Sequence, residues 1–194
     1  MTSAHRQQSP SDTTWVTSLG GPLILIPESA CRHWGGTPRD YPDHEGDYGR
    51  ACAVDDYVGL IDVGPATALV LGDMPARTTF LPEHCILFRE IAADDSVDPS
   101  AAIVGLLPEI KWEPGPFWEI TEPVILFDSA YDYPHVVEAN QECLRVSVTP
   151  GRYHVQAAYI EIPEQAYLIL VRLLPPEHDA GAPSASTHSE CSNI

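Results

Sequence analysis

The chain has 194 residues, 44% of them hydrophobic, which suits one globular domain with a sizeable core. Its 28 acidic and 10 basic residues give a formal charge of −18, with Lys111 the only lysine, so its surface repels nucleic acid and anionic membrane, attracts a basic partner and favours solubility. No apolar run approaches the roughly 20 residues that span a bilayer, and residues 1–14 hold no hydrophobic signal region, so a cytoplasmic protein is expected.

In chain order, residues 1–13 read as a disordered lead. Trp15 to Ser18 and Leu23 to Ile26 are strand candidates separated by Gly20-Gly21-Pro22. The glycines permit a turn, the proline fixes φ, and Leu23-Ile24-Leu25-Ile26 then demands burial on both faces. Pro27 to Trp34 has room for one helical turn, ended by Gly35-Gly36, and Thr37 to Gly49 is loop material. Arg50 to Val54, Tyr57 to Val63, Ala68 to Leu71, Thr78 to Leu81 and Cys85 to Ala92 read as strands, and their short connections favour antiparallel neighbours.

The clearest helix spans 98–110, with Asp98 as N-cap and Pro99 in the first turn. Ile103, Leu106, Leu107 and Ile110 form its apolar stripe, and Pro108 ends or kinks it. With Leu106 and Leu107 turned to a sheet, Leu107→Ala is expected to cost about 2–5 kcal/mol.

The second half repeats the first. Trp118 to Glu122 leads into Pro123-Val124-Ile125-Leu126-Phe127-Asp128-Ser129-Ala130, as Trp15 to Ser18 leads into Pro22 and its strand. A loop from Tyr131 to Gln141 precedes strands at Leu144 to Val148, Tyr153 to Ile162 and Tyr167 to Leu174. Arg50 to Val54 parallels Arg145 to Val148, and Leu69-Val70-Leu71 parallels Leu168-Ile169-Leu170. The expected class is α+β, mainly β: one domain over 14–176, with two related antiparallel meander halves (about 14–95 and 112–176) joined by the crossover helix, then a disordered tail over 177–194.

Motifs for chemistry are missing. Asp43-His44-Glu45 and Cys31-x-His33 contain metal-ligand types, yet neither H-E-x-x-H nor paired C-x-x-C spacing supports a site, and chance loop composition accounts for them. Ser29 and Ser129 each lie between an acidic residue and alanine without a nucleophile elbow, so they read as turn residues. Gly20-Gly21 lacks the phosphate-loop patterns, and the carboxylates Asp55, Asp56, Asp62 and Asp73 sit beside turns where solvated acids are ordinary. Cys31, Cys52, Cys85, Cys143 and Cys191 are scattered, so free, mostly buried thiols are expected. No catalytic residue, metal or cofactor is expected.

Trp15, Gly20-Gly21-Pro22 with its strand, Tyr48-x-Arg50-Ala51-Cys52, Asp56-Tyr57-Val58-Gly59, Leu69-Val70-Leu71-Gly72-Asp73, Trp112-Glu113-Pro114-Gly115-Pro116 and Leu126-Phe127-Asp128-Ser129-Ala130 stand in an order that resembles the immunity protein 21 family of bacterial polymorphic toxin systems. The resemblance covers roughly Thr14 to Pro175 and implies a cytoplasmic, non-enzymatic protein that binds and neutralises a cognate toxin domain. It supplies no toxin-contact residues. Those are chosen on charge and exposure: seven acidic residues between Asp40 and Asp62 face only Arg50, interleaved with Tyr41, Tyr48 and Tyr57, an aromatic type that anchors interfaces. Asp43, Glu45, Asp47, Tyr48, Asp55 and Asp56 are therefore the expected toxin-binding residues. A ligand- or protein-binding module with a pocket between the halves is the alternative, and a hydrolase is a third.

Overall fold

A computed structural model describes residues 14–38, 46–72, 74–93, 99–162 and 166–175. The expected N-terminal lead, the 177–194 tail, Asp73 and the Asp98 cap lie outside the described residues.

The all-apolar run forms β1 (Leu23–Pro27), buried along its whole length. Strand alternation sends Leu23 and Leu25 to one core, and Ile24 and Ile26 to another. Strand β7 (Val124–Asp128) behaves alike and pairs antiparallel with β1, with Leu25 opposite Leu126. Aligning Pro22 with Pro123 makes Leu25 and Leu126 equivalent, so a pseudo-twofold axis runs between them.

The remaining strands are β2 (Gly59–Val63), β3 (Ala66–Leu71), β4 (Arg77–Leu81), β5 (Ile86–Ala93), β6 (Glu113–Ile120), β8 (Cys143–Val146), β9 (Gly151–Ile162) and β10 (Ala166–Leu174). They form two five-stranded sheets, β2-β3-β1-β7-β8 and β4-β5-β10-β9-β6, in which every pairing is antiparallel. The expected mainly β, antiparallel class holds, with each half dividing its strands between both sheets.

Outward from the axis, β3 flanks β1 as β8 flanks β7; in the other sheet β5 meets β10, with β4 and β9 outside them. Val16 bridges Thr78 of β4 at one edge of that sheet, as β6 lies against β9 at the other. The duplication is therefore topological, and it pairs segments differently from the sequence likeness. Leu69 to Leu71 lies in β3 of the first sheet, whereas Leu168 to Leu170 lies in β10 of the second.

The sheets stack on a shared core that includes Leu69, Leu126, Trp118, Val155 and Val171. Outside the first sheet, Ala30 and Cys31 of the Glu28–His33 3-10 segment, Trp34 just after it, Ala51 of α1 (Asp47–Cys52) and Val136 of α3 (Tyr133–Glu138) bury its other face. Outside the second, Ile103 of α2 (Pro99–Leu106) packs with Phe88, Leu168 and Leu170. Helices thus cover part of both outer faces.

Several local readings change. Arg50 to Val54 is not a strand: Asp47, in the first turn, places a carboxylate where the helix dipole favours it, and α1 follows, burying Ala51. The Tyr131 to Gln141 loop contains α3, started by Asp132, whose side chain accepts from the His135 amide at 2.8 Å, with Pro134 in the first turn. Strand β6 carries Pro114 and Pro116, residues a central strand rejects; it is a sheet edge, with its register broken between Pro114 and Phe117.

Helix α2 gives way to a 3-10 turn at Leu107–Glu109, where Pro108 was expected to break it. Ile103 is fully buried, whereas Leu106 and Leu107 are half-buried, so the stripe meets the sheet one turn earlier than expected. Ile103→Ala is expected to cost about 2–5 kcal/mol, and Leu107→Ala distinctly less. Chemical denaturation of both variants checks this; an equal or larger loss at Leu107 would contradict the placement.

The cysteines correct a second expectation. The described ones, Cys31, Cys52, Cys85 and Cys143, are free, but only Cys31 is buried. Burial, reinforced by the charge of Glu28, pushes its thiol from 9.0 to about 12. A raised thiol pKa means that the fold keeps a proton the unfolded chain releases, so this stabilisation is complete below pH 9 and is lost as the pH climbs toward about 12. Cys31→Ala should therefore lose less stability than wild type over that alkaline window, measured by denaturant midpoints at successive pH values. Identical alkaline slopes would contradict the assignment.

Candidate functional site

The turn into β1 is fixed by groups on both halves. Gly20 sits at φ +131°, a conformation side chains resist. The Ser18 hydroxyl accepts from the Gly20 amide at 3.0 Å and donates to the Gly21 carbonyl at 2.5 Å. From the second half, Glu142 accepts from the Thr17 amide and Asp128 from the Leu19 amide, each at 2.8 Å. Ser129 donates its hydroxyl to the Pro22 carbonyl at 2.5 Å. The outcome is an immobilised turn whose tip residue, Leu19, is 75% exposed.

A cleft of about 350 Å³ opens on one side of the turn, walled by Gly20-Gly21-Pro22, by Tyr48 and Val54, and by Met74, with Asp55 among its lining. Gly21 is required here for space: a Cβ would lie 2.5 Å from the Tyr48 hydroxyl. Tyr48 rides on α1, which Asp47 ties down by accepting from the Gly35 amide at 2.7 Å and pairing with Arg50 at 3.0 Å. Arg50 in turn donates to the Asp62 carbonyl at 2.8 Å. The far wall hangs on Arg89 of β5, fully buried, which donates to the carbonyls of Leu71, Gly72 and Met74 at 3.2, 3.1 and 2.9 Å. A guanidinium of the second sheet thereby holds the end of a first-sheet strand.

A second cleft, about 390 Å³, lies on the other side, lined by Thr17, Leu19, Asp128, Tyr131, Asn140 and Glu142. It joins the two halves. Neither cleft has a lysine or arginine among its described lining residues.

The expected site residues distribute unevenly. Tyr48 and Asp55 meet Gly20, Gly21 and Pro22 in the first cleft. Asp56 is exposed and accepts from the Tyr57 amide at 2.7 Å. Asp47 is occupied by the contacts above, while Asp43 and Glu45 lie outside the described residues. Trp15 packs edge-on to Phe88, 6.3 Å between centroids, under the Arg77 guanidinium and away from the shared core that holds Val16 and Trp118. The tryptophans opening the two copies thus face different cores. Sequence reasoning missed Leu19, Met74, Asp128 and Glu142; only Leu19, a large apolar residue placed inside a glycine turn, carried a readable signal.

Other candidates resolve into structure. The Cys31 thiol lies against the carbonyls of Ile26 and Pro27, and the exposed His33 ring accepts from Arg32. Ser29 donates to Glu122 at 2.6 Å, a strand-end contact like that of Ser129. Among the described residues no three His, Cys, Asp or Glu side chains group to hold a metal, and no helix is long and apolar enough to cross a membrane.

The architecture is that of a two-sheet antiparallel β protein with two recesses around one fixed turn. The family model for Immunity protein 21 matches residues 14–166, most of the chain, and the chain belongs to that family. No curated protein and no solved structure gives a significant match.

Because the Gly21 position is closed by Tyr48, Gly21→Ala should displace the ring and cost about 1–3 kcal/mol through overpacking. In a Tyr48→Ala background the same change should be nearly neutral. Additive losses in that double-mutant cycle would contradict the contact.

Proposed function

We propose that this chain is a cytoplasmic immunity protein that binds one copy of a cognate toxin domain and neutralises it, by covering the active site or by holding an inactive conformation. Membership of the Immunity protein 21 family carries this reading. The charge of −18 supports a basic toxin face, because opposite potentials steer encounter. The toxin-binding region is the acidic segment around Tyr48, with Asp43, Glu45, Asp55 and Asp56 supplying steering charge; Asp47 acts mainly by holding α1. Catalysis by this chain is not part of the proposal.

Charge contacts at a rim govern association, and desolvated contacts govern dissociation. Changing Asp43, Glu45 and Asp55 together to lysine should slow association with the toxin about tenfold or more at low salt and flatten its salt dependence, with the fold retained. Stopped-flow mixing at two ionic strengths measures this. Unchanged association kinetics would move the steering surface elsewhere.

The second cleft favours one other reading, a ligand-binding module, since its lining comes from both halves and its volume is in the range of small-molecule sites. Thermal stabilisation by a metabolite, without a protein partner, would support it.

A further inference from the structure

We infer that Leu19 is the apolar anchor of the toxin contact, and that the clefts on either side of it receive basic side chains of the same partner. This rests on the function proposed above and specifies the surface that performs it.

Leu19 is the most exposed of the large hydrophobic residues described, at 75%, and its position is not that of a frayed loop. Its own amide is held by Asp128, the preceding Thr17 amide by Glu142, and the following glycines by Ser18. A leucine presented to water on a backbone fixed from both halves loses little further entropy on binding, which is how a preorganised hot spot gains affinity. Met74, 42% exposed, extends the apolar area across the first cleft.

The chemistry beside the anchor selects the occupant. Asp55 stands at the first cleft and Glu142 at the second, where Asp128 is buried with its two carboxylate oxygens held by the Leu19 and Ala130 amides, and neither cleft has a lysine or arginine among its described lining residues. The fitting partner is a protein face with an apolar pocket between two cationic side chains. A second copy of this chain, also at −18, would set carboxylates against carboxylates, and nucleic acid is repelled for the same reason.

The competing surface is the outer face of the second sheet, where Phe117 is 56% exposed. There Phe117 already stacks on His154 at 4.7 Å and lies under Arg152 at 4.6 Å. Phe117 is thus already engaged by its own strand neighbours, with the Arg152 guanidinium on its ring, which leaves it a poorer anchor than Leu19 for a basic partner.

The test uses the full chain and the protein encoded by the adjacent reading frame, made catalytically silent. Leu19→Ala should raise the dissociation rate about tenfold or more with an unchanged melting transition. Asp55→Asn with Glu142→Gln, which keeps an acceptor for Thr17, should slow association and reduce its salt dependence, whereas Phe117→Ala should alter the dissociation constant by less than about twofold. In the wild-type complex, amide exchange at residues 17–22 should slow; this readout does not depend on any variant folding. A wild-type complex with no added protection there, and wild-type dissociation for Leu19→Ala, overturns this inference alone. Weakening by Phe117→Ala instead puts the contact on the outer sheet face and also overturns it. Failure of the wild-type chain to form any complex overturns the functional reading, and this inference with it.

Discussion

The pairing of β1 with β7 is the constraint on which the rest depends. Both strands are apolar on both faces, so neither tolerates a sheet edge or a wet side, and each finds its central place only beside the other. They come from different halves of the chain. The ends of the ladder repeat the symmetry: Glu28 donates its amide to the Pro123 carbonyl at 3.0 Å, and Ser129 donates its amide to the Pro22 carbonyl at 3.3 Å. With Leu25 opposite Leu126, these bonds obey the same pseudo-twofold axis. The two prolines lack a donor but supply the accepting carbonyls, which suits them to strand entrances.

From that pair the site follows. Because β1 is buried immediately after Pro22, the chain before it must turn sharply at the surface, and Gly20 takes the conformation that allows this. Asp128 at the end of β7, Ser129 just past it, and the loop after α3 lie next to the turn and tie it down. Arg89 adds a link from the second sheet to the loop after β3, which forms the opposite wall of the first cleft. The candidate surface is therefore built where two halves and two sheets meet, and its stiffness comes from the core beneath it.

Much of this was legible in the sequence. The double-faced burial of Leu23 to Ile26 could be read because four consecutive apolar residues after Gly-Gly-Pro leave no solvent side. The equivalence of the Pro22 and Pro123 entrances was also readable, since local rigidity leaves a local signature. The partners of those segments were not: Leu69 to Leu71 and Leu168 to Leu170 are alike in composition because both are central strands, although they occupy different sheets. Helix α1 was hidden because its start depends on Asp47 holding Gly35, a contact 12 positions apart. Strand β6 was hidden by prolines that only an edge position forgives. At the site, Tyr48 and Asp55 could be chosen from charge and aromatic content, but Glu142 could not, since its role arises from a hydrogen bond 125 positions away.

Native-state hydrogen exchange tests the central claim, that the halves form one interlocked unit around β1 and β7. The amides of Leu25 and Leu126 in the first sheet and of Leu170 in the second should exchange only by global unfolding, with the same free energy and the same denaturant dependence. Exchange of β9 and β10 amides through a lower-energy opening that leaves β1 and β7 protected would contradict it, because the first sheet would then stand without the second.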